Sequence, residues 1–155
     1  MSDLKTEIRQ SKAFPTIHEE AFLNLERTTM MLTDAFEQML KPYGITGTQY
    51  NVLRILRGAG SDGLCRNEIR DRLVTRMPDV TRLLDRMENA GLITRERSSE
   101  DRRQVSTQLT REGRKLVDSL DAAVTAEHKE RLNHLDAGQL RTLIDLLTQV
   151  RAGNR

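Results

Sequence analysis

Apolar residues recur at three- and four-residue steps in the first third of the chain, and this spacing predicts an amphipathic helix from Thr16 to Lys41. Pro42 and Gly44 end the pattern. The apolar stripe consists of Phe22, Leu25, Thr29, Leu32, Phe36, Met39 and Leu40. Residues 1–14 are polar and aperiodic, so they predict a flexible N-terminal arm.

Two further helices are predicted from their first residues. Thr46 and Gln49 have the spacing of a capping box, which indicates the start of a second helix that ends near Gly58. A short third helix is predicted over residues 66–73. Cys65 occupies its N-cap position, where serine or threonine is usual.

A fourth helix and a hairpin follow. The fourth helix is predicted to open with Pro78 in its first turn and to close at Gly91. Its buried stripe is expected to be Val80, Leu83, Leu84 and Met87. Residues 92–97 and 105–109 alternate between apolar and polar, which predicts an antiparallel hairpin with a charged connection.

Two more helices are predicted at the C-terminal end, one running from the N-cap Thr110 to Leu132 and one starting at Asp136. The second to fourth helices and the hairpin form one unit over residues 45–112, which leaves residues 15–44 and 113–152 outside it, with apolar stripes that must be covered. The terminal helices either pack on their own domain or pair with a second subunit. We expect the second arrangement.

Composition narrows the function classes. One cysteine among 155 residues excludes a disulfide framework and a four-cysteine zinc site. The N-terminal residues contain no apolar run typical of a secretion signal, and no stretch approaches the roughly 20 apolar residues of a membrane span. A soluble cytoplasmic protein without membrane association is the expectation. We also find no catalytic set and no metal-binding or cofactor motif, so we expect a non-enzyme.

The distribution of charge is more informative than its sum. The formal net charge is only +2, but residues 66–115 contain 13 basic and 9 acidic side chains, and 12 of those 13 are arginine. Arginine forms paired hydrogen bonds to guanine, which lysine cannot match. Two helices joined by a turn and followed by a two-stranded ribbon make a winged helix-turn-helix, and a helix fits the major groove of DNA.

These residues resemble the MarR family of transcriptional regulators. The resemblance rests on residues 80–88 (VTRLLDRME), 91–93 (GLI), 101–103 (DRR) and 109–113 (LTREG), and with the flanking helices it covers about residues 16–151. It implies a mainly α fold with a small antiparallel β-wing, in which residues 45–112 form the DNA-binding lobe and the terminal helices of residues 15–44 and 113–152 hold a dimer together. It also implies a repressor, which binds a pseudo-palindromic operator and is released from it by a small ligand.

The resemblance assigns roles to individual residues. The fourth helix would be the recognition helix, from which Arg82 would reach base edges or phosphates, and Arg95 would contact the DNA backbone. Arg103 would enter the minor groove, with Asp101 holding it or the wing in place. The other residues expected on the DNA face are Thr75, Arg76, Asp79, Thr81, Arg86 and Arg102. Met77 and Pro78 stand where many members have serine or threonine.

The resemblance also implies a cleft for small, often aromatic ligands at the junction of the dimer helices and the DNA-binding lobe. All five aromatic residues lie in the first third of the chain, and none lies in the basic segment. The residues expected to line the cleft are Met30, Met31, Phe36, Met39, Tyr43 and Tyr50. Ordinary core packing is the alternative for each of them.

Several alternatives remain. Arg82 and Arg86 could pair only with acidic neighbours on a solvated helix face. Cys65 could act as a redox sensor, because a thiol at a helix N-terminus can react with oxidants. The chain could also be a winged-helix protein-interaction module. Residues 58–63 match G-x-G-x-x-G, but they follow a helix and not a strand, so nucleotide binding is disfavoured.

Overall fold

The computed structural model describes residues 3–97 and 105–154. Its helices are α1 (Leu4–Glu7), α2 (Ile17–Leu40), α3 (Gly47–Ala59), α4 (Arg66–Arg72), α5 (Val80–Asn89), α6 (Arg111–Leu132) and α7 (Ala137–Ala152). The strands β1 (Ile93–Arg97) and β2 (Val105–Leu109) form an antiparallel pair, and a 3-10 turn covers Lys41–Tyr43. The expected fold class, mainly α with a small β-wing, is confirmed.

The chain divides into two compact units, Met1–Arg114 and Lys115–Arg155. In the first unit, α3 contacts α2, α4 and β2, while α5 contacts α4 and β1. Fully buried side chains from these elements form its core, and they include Leu40, Leu53, Leu56, Ile69, Leu84, Met87 and Ile93. The core therefore lies beneath the helix-turn-helix and the wing.

Side-chain caps fix most helix starts where the sequence predicted them. The Thr46 hydroxyl accepts from Gln49 N at 3.2 Å, and the Gln49 side chain accepts from Thr46 N at 2.9 Å. The same reciprocal pair forms at the start of α7 between Asp136 and Gln139. Thr16 caps α2 through Glu19 N. Each cap satisfies backbone donors that the first turn of a helix leaves free.

Two local expectations were wrong. Residues 4–7 form one helical turn where no helix was predicted, because Asp3 caps it at Thr6 N and Leu4 is buried. Pro78 lies outside α5 and not in its first turn. Asp79 is the N-cap instead, since its carboxylate accepts from Arg82 N at 3.0 Å.

The wing is tied to the body by a contact that the sequence did not predict. β1 and β2 pair in the register Ile93–Leu109 to Arg97–Val105. On the edge of β2 that faces away from β1, Thr107 exchanges backbone hydrogen bonds of 3.0 and 2.9 Å with Leu64. The side chains of Ser106 and Gln108 also donate to the carbonyls of Asp62 and Ser61. The strand β2 is thus anchored to the loop that precedes α4.

In the second unit, α7 leaves much of its apolar face uncovered. Ile144, Leu146 and Val150 are each about half exposed or more. By contrast, Val117, Leu120 and Val124 of α6 are buried. In the residues that the structure describes, no helix is both long and apolar enough to cross a membrane.

Candidate nucleic-acid interface

The recognition helix α5 has two distinct faces. Val80, Leu83, Leu84 and Met87 are buried, as their spacing predicted. Thr81, Arg82 and Arg86 lie on the exposed side. In the turn before α5, Thr75 and Arg76 are exposed as well, and Asp79 is half-buried. These six residues belong to the DNA face predicted from the sequence, and their role in binding stays a prediction.

Arg82 is highly accessible on this helix. Its side chain is 84% exposed, and its Nε lies 3.0 Å from Asp79 Oδ2. Arg86 Nε donates to the Arg82 carbonyl at 3.3 Å. The Arg82–Asp79 pair is the pairing with an acidic neighbour that a solvated helix face predicts. Because an exposed ion pair is worth about 1 kcal/mol or less, a nucleic acid phosphate or base could displace it.

Arg66 was missed by the sequence reasoning. It opens α4, and its Nη1 donates to Thr81 Oγ1 at 3.3 Å, which joins the two helices of the motif. A cation in the first turn is disfavoured by the helix dipole, and this unfavourable position was the available signal. On the other side of the motif, Val74 N donates to Asn51 Oδ1 at 2.9 Å and ties the turn to α3.

Arg95 is already paired in this structure. Its Nε donates to Glu88 Oε2 at 2.8 Å, and its Nη2 lies 2.6 Å from Asp85 Oδ1. The hydrogen bond to Glu88 raises the pKa of the Arg95 guanidinium above its ordinary value. Only 25% of the side chain is exposed. The described contacts therefore face the recognition helix, and the expected contact with the DNA backbone stays a prediction.

The wing-tip residues Asp101, Arg102 and Arg103 lie outside the described residues. Their expected roles at the minor groove stay predictions from the resemblance. The strands on either side of these residues are described, and β1 follows the C-terminal end of α5 directly after the turn at Gly91, which adopts a left-handed backbone conformation with φ 70°.

The residues expected to line a ligand cleft have different environments. Phe36 and Tyr50 pack edge to face with ring centroids 5.7 Å apart, and Tyr50 is buried. Met30, Met31 and Tyr43 are exposed, and Met39 is half-buried. The Phe36–Tyr50 contact is thus core packing between α2 and α3. An effector role for the set stays a prediction.

A cleft of about 430 Å³ lies elsewhere, between α4, α5 and the wing. Cys65, Arg66, Thr81, Arg95 and Thr107 are among its lining residues. The Cys65 backbone N–H donates to Glu68 Oε2 at 2.8 Å, and this bond lowers the pKa of Glu68. Glu68 therefore completes half of a capping box although the cap residue is cysteine.

The competing motifs find little support in the geometry. Gly58 lies within α3 and Gly60 is its C-cap, so the glycine-rich segment begins inside a helix and does not follow a strand. Among residues 3–97 and 105–154, no three His, Cys, Asp or Glu side chains are grouped so that they could hold a metal ion. A redox role for Cys65 stays a prediction.

Comparison with known proteins identifies the family. The MarR family model matches residues 43–104. A MarR transcription factor from Planctomyces limnophilus is 37% identical, with a TM-score of 0.68 over 88% of this chain and 99% of that one. A mutant MarR from E. coli, complexed with operator DNA, is 27% identical, with a TM-score of 0.75 over 96% and 99% of the two chains.

A curated relative supports the same assignment. The HTH-type transcriptional regulator FarR of Neisseria gonorrhoeae is 29% identical over 138 residues, which are 88% of this chain and 93% of that protein. The names of these relatives describe transcriptional regulators, and the expectation of a non-enzyme is confirmed on that ground. The winged helix-turn-helix, its arginine-bearing recognition helix and these similarities together show that the chain belongs to the MarR family of transcriptional regulators.

Proposed function

We propose that this protein regulates transcription by binding double-stranded DNA through α5 and the wing. The observation that carries the proposal is the two-sided recognition helix, which buries four apolar side chains and exposes Thr81, Arg82 and Arg86. A helix of this kind can lie in the major groove and present arginine to guanine. The E. coli relative complexed with operator DNA has the same fold at a TM-score of 0.75.

A salt titration tests this function against a protein-interaction module. Fluorescence anisotropy of a labelled duplex is measured with increasing protein at several KCl concentrations. Binding to DNA releases counterions, so the affinity should fall with a log–log slope of about −0.9 for each phosphate contacted. If the duplex does not bind at low salt, the interaction-module alternative is favoured.

We propose further that the protein is a homodimer held by its terminal helices. Ile17, Phe22, Met30 and Met31 on α2 are all more than half exposed in the single chain. The exposed face of α7 adds a second uncovered apolar surface. Covering both by a second copy would remove this apolar area from water and place two recognition helices about 34 Å apart on successive half-sites.

Light scattering checks the dimer. We expect a mass of twice 17.8 kDa at micromolar concentration. Ile144→Glu should shift the mass towards the monomer, because it places a charge within the apolar face of α7. Gln149→Glu adds the same charge at an exposed polar position of that helix and should leave the dimer intact. A monomeric wild-type protein would contradict the proposal.

We also propose that the regulator is a repressor that a small aromatic ligand releases. The ligand would favour a dimer whose recognition-helix spacing no longer fits the half-sites, and DNA would favour the fitting one. Support comes from Met30, Met31 and Tyr43, whose large apolar or aromatic side chains are exposed in the single chain. A panel of aromatic acids should include members that weaken duplex binding and shift the thermal midpoint; a panel without effect counts against release.

A further inference from the structure

Arg95 joins three parts of the DNA-binding lobe. It lies at the centre of β1, and its cross-strand partner is Thr107. Thr107 is bonded through its backbone to Leu64, in the segment before α4. On the other side, the Arg95 side chain bonds Asp85 and Glu88 of α5. A continuous set of contacts therefore links the start of the motif, the wing and the recognition helix.

The geometry of this cluster favours a persistent contact. Asp85 and Glu88 are three residues apart, so they lie on one face of α5. A guanidinium is planar and presents several donors in a fixed arrangement, which allows it to bond both carboxylates together. With 25% of the Arg95 side chain exposed, the interaction is better shielded from water than an ordinary surface pair.

Charge gives a second reason for Arg95 to stay in place. If Arg95 turned towards a DNA phosphate, Asp85 and Glu88 would be left without this cation beside a polyanion. Like charges at this helix spacing are destabilising, and a nearby phosphate adds to the repulsion. Keeping Arg95 between the two carboxylates avoids both effects.

We propose that Arg95 is a positioning residue, which fixes the wing against the recognition helix through Asp85 and Glu88 and makes no contact with DNA phosphate. The inference rests on the proposed DNA-binding function. It predicts that the carboxylates matter for binding as much as the arginine does, although they carry the same sign of charge as DNA. A phosphate contact by Arg95 predicts the opposite effect for the carboxylates.

The test measures binding of the full chain to two duplexes by fluorescence anisotropy. One duplex is selected from random sequences with the wild-type protein, and the other is a scrambled version of the same composition. Arg95→Lys and the double variant Asp85→Asn, Glu88→Gln should each bind the selected duplex about tenfold more weakly, which is about 1.4 kcal/mol. Combining all three changes should cost no more than either alone, because they break one cluster.

Separate controls distinguish the effect of a changed net charge on binding from the effect of a destabilised fold. Glu96→Gln removes one negative charge from an exposed position next to Arg95 and should bind the selected duplex at least as tightly as wild type. Affinity for the scrambled duplex should not fall in the carboxylate variant, since non-specific binding follows charge. Thermal midpoints are recorded for each variant, so that binding is compared between folded proteins.

Three results would overturn the role of Arg95. The first is near-wild-type binding by Arg95→Lys with tighter binding by the carboxylate variant, which would indicate a phosphate contact. The second is a lower thermal midpoint in all variants with unchanged preference for the selected duplex, which would indicate a merely structural role. The third is a wild-type protein with which no duplex can be selected from the random sequences, which would overturn the proposed function as well and is thereby distinguished from the other two.

Discussion

Gly113→Ala is expected to destabilise the protein by about 3 kcal/mol, although alanine ordinarily stabilises a helix relative to glycine. Gly113 lies in the first turn of α6, where a Cβ atom would clash with the carbonyl oxygen of Leu92. That carbonyl accepts from Thr110 N at 3.1 Å, and Leu92 N donates to Met87 O at 3.0 Å. The backbone of Leu92 therefore cannot move away from Gly113 without losing these hydrogen bonds.

The chain offers a matched control for this substitution. Gly58 is also helical, in α3, and a Cβ built there meets no atom within 4 Å. Gly58→Ala should therefore raise stability by about 0.5–1 kcal/mol. Chemical denaturation followed by circular dichroism measures both variants against wild type. If Gly113→Ala is as stable as wild type, the close approach of α6 to Leu92 is wrong.

Arg82→Ala is expected to weaken binding to the selected duplex by about 1–3 kcal/mol if the side chain makes a paired contact with a base. Arg82 is suited to this role because it is 84% exposed and its partner Asp79 can remain as the N-cap without it. The salt dependence separates the two kinds of contact. Loss of a phosphate contact reduces the slope by about 0.9, whereas loss of a base contact lowers the affinity without this change.

Arg151→Ala is the control for Arg82→Ala. Arg151 carries the same charge near the end of α7, in the second unit and outside the DNA-binding lobe. Removing it should leave the affinity for a short duplex close to the wild-type value. Equal binding by wild type and Arg82→Ala would remove Arg82 from the proposed interface.

The parts of the fold that the sequence predicted are those specified by local signals. The reciprocal cap of Thr46 and Gln49 involves residues three apart, and the buried stripe of α5 follows from helical periodicity alone. Alternation predicted both strands, and β1 begins one residue later than expected. In each case the atoms that decide the structure are close together in the chain.

What the sequence did not predict depends on distant contacts. The exchange of hydrogen bonds between Leu64 and Thr107 involves one pair, which leaves no periodic pattern. The partners of Arg95 depend on how β1 packs against α5. The sequence alone indicated only that a basic side chain lies in the hairpin. Gly113 likewise appeared to be an ordinary helical glycine until Leu92 was placed beside it.

Selection of bound fragments from a random duplex library, followed by sequencing, tests the central claim most directly. A dimer that presents α5 from each subunit should enrich an inverted repeat whose half-sites are about one helical turn, or roughly 10 base pairs, apart. Arg82→Ala should reduce this enrichment and Arg151→Ala should preserve it. Enrichment of no sequence, or of a single unpaired half-site, would contradict a dimeric DNA-binding regulator.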